Sequence, residues 1–303
     1  MPIPDTNLIP RDGFAGFLTG FKRSFTAFMK HRLVEQTRLA NGTSLVRRRA
    51  RAVEPGPALR PLPYLVKLAE DAQEFRAALR LRYQVFNLEL REGLTSSHST
   101  GHDFDEFDAV TDHLIVKCRY SHVVVGTYRL QTGTTAARNL GYYSEREFDF
   151  SPYEPLRAQV VELGRACIHQ EHRNTQALML LWKAIAAYAI GRGCRYLIGC
   201  SSVSSQNAAV GEAVYAKLKN FLAPPELRTV PQSRCSIPAA HDGIPGGEEA
   251  KVPKLLRAYL TTGAYICGPP AVDAEFGTID FLTLLDLARV PKGLFSRVMQ
   301  PQG

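Results

Sequence analysis

Six charged side chains interrupt apolar or aromatic runs in this 303-residue chain: Arg82 in LRYQVF, Asp105 and Asp108 in DFDEFD, Arg129 in VVVGTYRL, and Glu162 and Arg165 in VELGR. A full charge in such surroundings costs on the order of several kcal/mol unless it is paired or hydrogen-bonded. Three arginines and three carboxylates balance, so the set can meet in the interior as a neutralised network. Two readings are open. The six are a lattice holding a loop against a sheet, or they line a site where a carboxylate moves a proton.

The segment VVELGRACIH, 160–169, carries two of the six and reads as a buried strand. Alternation would put Glu162 and Arg165 on opposite faces. A bulge at Gly164 would bring them to one side, and an isolated glycine in a strand commonly marks one.

The surrounding elements read as a mixed α/β domain from about Tyr64. EDAQEFRAALRLRYQVF is helical, with Phe75, Leu79 and Val85 on or near one face. DHLIVKCRYSHVVVGTYRLQ is a hairpin turning near residues 120–122. NTQALMLLWKAIAAYAIGRG is an amphipathic helix capped by Asn174 or Thr175 and ending near Gly191 or Gly193. CRYLIGCSSV is another buried strand, NAAVGEAVYAKLKNFL a helix, and residues 224–247 a Pro/Gly-rich mobile stretch. A helix over 253–262 and strand-like AYICGPP and TIDFLTLLD close the pattern.

Composition excludes several classes. With 45% hydrophobic residues the chain can bury a full core. Six cysteines without a CxxC pair indicate neither a disulfide framework nor a zinc knuckle, so a reducing cytosol is the expected setting. His98, His102 and Asp103 form a loosely metal-like cluster in SHSTGHDFDEFD. That stretch reads as a solvated, mobile loop, and no metal site is expected. GCSSVSSQN lacks a GxSxG elbow, which argues against a serine hydrolase. No apolar run is long enough to span a membrane.

The net charge of +8 is concentrated in residues 1–60, with eleven Lys/Arg against four Asp/Glu. Phe14, Phe17, Phe21, Phe25 and Phe28 recur there at helical spacing among Lys22, Arg23, Lys30 and Arg32. Such a helix either lies on an anionic membrane surface or packs its phenylalanines on the domain. Residues 1–60 are thus expected to be a basic amphipathic segment and linker, and 61–303 the folded domain. Nucleic acid is not expected, since basic and aromatic residues would then interleave over a wider surface.

The ordered set Arg82-x-x-x-Phe86, Asp105-x-x-Asp108, VGTYRL with Arg129, and Glu162-x-x-Arg165 resembles the acyl-homoserine-lactone synthases. It equally resembles their relatives, the ornithine-lipid (lyso-ornithine lipid synthase) N-acyltransferases, all with the GNAT-type fold. FDAVTDHLIV, ELGRACIHQEHRN and YLTTGAYICGPPAVDAEFGTIDFLTLLD are more similar to the ornithine-lipid branch. The resemblance covers about residues 79–286. No tryptophan follows Phe86 closely, which separates the chain from the lactone synthases.

The resemblance implies a mixed central sheet flanked by helices and an enzyme moving a fatty acyl group onto an amino acid α-amine, ornithine first. A lactone synthase using S-adenosylmethionine and a non-catalytic lipid-binding protein are the alternatives. A bulged strand in this fold splays the sheet and frees backbone N–H groups for the oxyanion. Glu162 then takes a proton from the amine through water, or pairs structurally with Arg129 or Arg165.

The helix-opening turn QEHRNTQAL has no glycine, which argues against a pyrophosphate cradle and for the single phosphodiester of acyl carrier protein's phosphopantetheine. Arg173, Asn174, Thr175 and Gln176 would serve it, with Arg173, Arg192 and Arg195 as a patch for an acidic carrier. Leu180, Trp182, Ile185, Leu197 and Ile198 could line an acyl tunnel. No bound cofactor is expected. The product would be a membrane amphiphile, so the expected place is the inner face of the cytoplasmic membrane.

Overall fold

The computed structural model describes residues 63–237 and 250–290, so the readings made for residues 1–60 lie outside the described residues. Helix α1 (Ala72–Tyr83) starts where Asp71 accepts hydrogen bonds from the Gln73 and Glu74 N–H groups, both at 2.8 Å. It buries Ala78, Leu79, Leu81 and Arg82. The chain then widens into a π-helical stretch over Gln84–Leu90, closed by Arg91 in a left-handed conformation.

Eight strands form one sheet: β1 (Tyr64–Leu68), β2 (Asp112–Cys118), β3 (Val124–Thr132), β4 (Val160–Ile168), β5 (Tyr196–Val203), β6 (Tyr265–Ile266), β7 (Ala271–Asp273) and β8 (Thr278–Asp286). The order is β1-β2-β3-β4-β5-β8-β6, with β7 also on β8. Every pairing is antiparallel except β4 with β5. These two central strands are joined through helix α4 (Thr175–Gly191), as a parallel crossover requires. The short helices α2 (Ser97–Thr100) and α3 (Gly133–Arg138) precede it; α5 (Ala208–Leu218) and α6 (Lys254–Thr261) follow.

The hairpin and the long helix form as their sequences indicate. Asn174 Oδ1 accepts from Ala177 N at 2.9 Å, and Gly193 takes a positive φ beyond the helix end. β1 is a strand that the sequence pattern does not single out. Residues 224–237 differ from the expected mobile stretch. Thr229 N–H donates to Cys267 O at 2.8 Å, Gln232 N–H donates to Glu147 O at 2.7 Å, and Pro231 bridges to Phe148. Gly268 makes room for this strap, since a Cβ there would sit 2.0 Å from Thr229 O.

The core lies on both faces of the sheet. One side packs Val203, Ile279 and Phe281 against Val210 and Val214 of α5 and Leu256 and Leu260 of α6. The other packs Val160, Ile198, Leu282 and Leu284 against Tyr142, Phe148, Phe150 and Tyr153. Among the described residues no helix is long and apolar enough to cross a membrane.

Candidate active site

Strands β4 and β5 pair at only three positions, Val160–Tyr196, Val161–Leu197 and Glu162–Ile198, and then part. Gly199 sits at the fork. A Cβ there would lie 2.2 Å from Leu163 O, so only glycine lets the strands come this close before they diverge. The bulge expected at Gly164 is real but its strained residue is the next one. Register with β3 slips between Thr127–Cys167 and Arg129–Gly164, and Arg165 takes φ +48°. Gly164 has ordinary φ and faces the Arg129 guanidinium at van der Waals distance.

The charged network forms, with one exchange of members. Arg82, fully buried, donates from Nε to Asp103 at 2.6 Å and from Nη1 and Nη2 to both oxygens of Asp108 at 2.6 and 3.0 Å. Arg129 Nη1 reaches Asp105 at 2.5 Å and Asp108 at 3.2 Å. Arg165 reaches Asp105 at 3.0 Å and Asp103 at 3.3 Å. Three guanidiniums and three aspartates neutralise one another. Burial opposes ionisation of Asp105 and Asp108, but Arg129 and Arg165 around the first, and Arg82 and Arg129 around the second, hold both below the usual carboxylate range. Arg165 also lies over the Tyr143 and Phe276 rings, at 4.9 and 4.5 Å from their centroids.

Asp103 is the member that sequence reasoning missed. The polar stretch around it was expected to be a solvated loop. Instead its carboxylate is fully buried between Arg82 and Arg165, while the His102 imidazole beside it bonds to Thr100 O and His98 rests on Tyr83.

Glu162 is the member that leaves the network. It makes no ion pair with Arg129 or Arg165. Its Oε1 accepts from Ser144 N at 2.8 Å, and its Oε2 from Tyr143 N at 2.9 Å and Gln131 Nε2 at 3.2 Å. Burial raises its carboxyl above the ordinary range, and these N–H donors pull back against that rise. It is 5% exposed and stands where β4 and β5 separate, at the wall of a large cavity.

That cavity, ≈ 840 Å³, runs through the fork. Its apolar lining includes Tyr128, Leu163, Leu178, Trp182, Ile185, Leu197 and Tyr259, and its polar lining Arg129, Gln131, Tyr143, Ser144, Glu162, Asp273 and Asp280. Trp182, Ile185, Leu197 and Ile198 are thus lining residues as expected, while Leu180 is not among them.

The turn before α4 borders the same cavity through Arg173, Asn174 and Thr175; Gln176 does not line it. Arg173 forms a bidentate pair with Glu89 and donates from Nε to Ile168 O. The Asn174 N–H is taken by His172 O and that of Ala177 by the Asn174 cap. Thr175 and Gln176 hold the open donors of the first turn, fewer than the three expected. Arg192 and Arg195 sit beyond the other end of α4, paired with Asp112 and Asp286, and so do not extend the turn's basic patch.

Comparison with known proteins accords with this geometry. Residues 81–183 match the acetyltransferase (GNAT) domain family. The L-ornithine N(alpha)-acyltransferase of Rhodobacter capsulatus is 34% identical over 238 residues, 76% of this chain and 92% of that protein. The enzyme of the same name from Agrobacterium fabrum is 31% identical over 242 residues, 74% of this chain and 81% of its own length. Among solved structures, the CoA-dependent acyl-homoserine lactone synthase BjaI aligns over 76% of this chain and 85% of its own, at 15% identity and a TM-score of 0.46.

Proposed function

This chain belongs to the L-ornithine N(alpha)-acyltransferase family and is an N-acyltransferase; on that premise we propose that it moves a fatty acyl group from acyl carrier protein to the α-amine of ornithine. The observation that carries this reading is the cavity at the β4–β5 fork, lined by both apolar and polar side chains, with Glu162 at the parting point. The acyl chain lies against the apolar lining, so burial of its methylenes supplies affinity at roughly 0.8 kcal/mol each. The thioester then lies at the fork, where the backbone of β4 has parted from β5 and N–H groups on that side can meet a developing oxyanion.

The acceptor binds against the polar lining as an ammonium ion. Glu162 takes one proton from it through water, and its raised basicity suits that role. The free amine attacks the thioester carbon and a C–N bond forms; the nitrogen then gives up its second proton as the C–S bond breaks, and that proton leaves on the thiol, while the first passes from Glu162 to solvent. The network of Arg82, Arg129, Arg165 and the three aspartates holds the wall opposite and fixes the bulge. These are positioning residues, since their charges are spent on one another.

Acyl carrier protein is favoured as donor because the turn before α4 offers two free N–H groups and no glycine, enough for one phosphodiester but crowded for a pyrophosphate. Residues 1–60, carrying +7 of the net charge and the phenylalanine repeat, would keep the enzyme on the inner face of the cytoplasmic membrane, where its amphiphilic product partitions.

The test is a purified full-length enzyme given L-ornithine with acyl carrier protein or coenzyme A carrying the same chain, followed by thiol release and mass spectrometry. An N-acylornithine formed faster from the carrier protein is expected. Equal or faster turnover of acyl-CoA would remove the donor assignment, and absence of any N-acyl product with either donor would remove the activity.

A further inference from the structure

A second group of carboxylates is left without a role by acyl transfer: Asp273 and Asp280 line the cavity, and Glu147 lies next to Asp280. Glu147, Asp273 and Asp280 are 4%, 9% and 3% exposed. They come from three separate segments, and Glu147 and Asp280 meet beside Cys200 of β5. Ligand atoms of Glu147, Cys200 and Asp280 all lie within 4.8 Å of one another. Neutral groups touch them: Thr278 Oγ1 donates to Asp280 at 3.0 Å, the Tyr143 hydroxyl to Asp273 at 3.2 Å, and the Glu275 and Phe276 N–H groups to Asp273. Among the described residues none of the three has an ion-pair partner. The contrast with the neighbouring network is sharp, because there each aspartate faces a guanidinium.

A separate observation points to a missing donor. Glu147 Oε1 has no hydrogen-bond partner, although the residue is nine-tenths buried and its carboxylate is turned toward Cys200 and Asp280. Gln131 Oε1, 2% exposed and on the wall of the same cavity, is also unpartnered. Buried acceptors of this kind are normally satisfied. Glu147 and Asp280 can share one proton, and the remaining acceptors and the charge left on the group suit a cation that carries several N–H donors. In its absence the carboxylates hinder one another. Burial, then Asp280 and Asp273, push Glu147 well above the usual range, and burial foremost raises Asp280 to about 6.

The cluster is also coupled in space to the proton-transfer position. Ser144 donates its N–H to Glu162, and its hydroxyl lies 3.4 Å from Cys200 Sγ. Cys200 is two residues beyond Ile198, the partner of Glu162, or roughly 7 Å along the strand. A small molecule with one amine at Glu162 would place its side chain along this wall. We infer that Asp273 and Asp280 on the cavity wall, with Glu147 next to Asp280, form the subsite for a second ammonium group on the acceptor, so that the cavity selects a diamino acid over a monoamino acid of equal length. The inference rests on the acyl-transfer reading of the site and deepens it, by assigning the acceptor's side-chain charge to named residues.

The test uses full-length enzyme with L-ornithine and L-norvaline, which has the same carbon chain without the second amine. Wild type should favour ornithine in kcat/KM by about 100-fold or more, since a site built to bind a polar group rejects the analogue lacking it. Asp280→Asn and Glu147→Gln should each lower that ratio by about tenfold. Without any acyl donor, ornithine should raise the Tm of wild type and raise it less in both variants, while norvaline does neither. Equal use of the two amino acids by wild type, or ratios unchanged in both folded variants, would overturn the subsite while leaving acyl transfer standing. A Tm shift specific to ornithine in an enzyme that acylates nothing would instead uphold the subsite and sink the reaction. A divalent metal retained stoichiometrically by wild type and lost in Glu147→Gln would make the cluster a metal site and overturn the inference.

Discussion

Replacing Asp103 by asparagine isolates the charge balance of the buried network. Asp103 is fully buried, with Oδ1 between Arg82 Nε at 2.6 Å and Arg165 Nε at 3.3 Å. Its Oδ2 has no hydrogen-bond partner, so an amide nitrogen can occupy that place without displacing a donor. The variant keeps the Oδ1 contacts and the shape, and loses one negative charge opposite three guanidiniums. Removing one partner of a buried ion pair costs about 3–5 kcal/mol, and the preserved geometry puts this variant near 3 kcal/mol. For a domain of this size each kcal/mol moves the Tm by roughly 2–4 °C, so the melting point should fall by about 6–12 °C. Thermal unfolding followed by circular dichroism at neutral pH reads this directly. His102→Ala, one residue away on the exposed side, serves as control and should stay within about 0.5 kcal/mol of wild type. If Asp103→Asn melts within about 2 °C of wild type, the six charges do not depend on one another and the network has been misread.

Glu162→Gln should fold, with a stability loss of about 1–3 kcal/mol because Glu162 accepts from the Ser144, Tyr143 and Gln131 N–H groups and an amide nitrogen placed there displaces one of these bonds. Its turnover should drop by about 10²-fold or more, and turnover within about threefold of wild type would remove Glu162 as the base. The acid cluster makes a pH prediction for the ligand-free protein. Carboxyls raised in the folded state contribute stability that is complete below their ordinary pKa and is lost as pH rises through the folded value. For Asp280, about 6 when folded, and Glu147, raised well above its usual range, the loss begins above about pH 4. The Tm of Glu147→Gln should therefore gain on wild type steadily from about pH 4.5 to 7, and parallel curves would count against the cluster. Full-length protein should co-sediment with anionic vesicles in a salt-sensitive manner, and deletion of residues 1–60 should abolish this without loss of activity on soluble substrates. An unstable truncated protein, with a full-length chain indifferent to vesicles, would mean that the phenylalanines pack on the domain.

Local patterns in the sequence were enough for the elements and for most of the network. Helix α4 follows its apolar period and its Asn174 cap, and the β2–β3 hairpin its two β-branched runs. Arg82, Asp105, Asp108, Arg129 and Arg165 stand out because charge interrupts apolar sequence, and all five meet. Asp103 escaped because its neighbours are Ser, His, Thr and Gly; only the reach of Arg82 from α1 pulls it inside. Glu162 was legible as a buried carboxylate, but its partners are backbone N–H groups of the 143–144 turn, which no residue type announces. The bulge was legible from Gly164, yet the strain fell on Arg165, since the guanidinium must swing to Asp103 and Asp105. Glu147, Asp273 and Asp280 lie in three distant segments, and only the pairing of Asp280 with Ser202 on β5 and the fold of the 144–147 turn bring them together.

Acyl transfer to an amino acid amine is tested most directly by lipid mass spectrometry of cells expressing the full chain or its Glu162→Gln variant. Cells with the wild-type chain should accumulate an N-acylornithine that is absent, or strongly reduced, in cells with the variant at equal protein level. An acyl-homoserine lactone in place of the N-acylornithine, or identical lipid profiles from the two, would contradict the assignment.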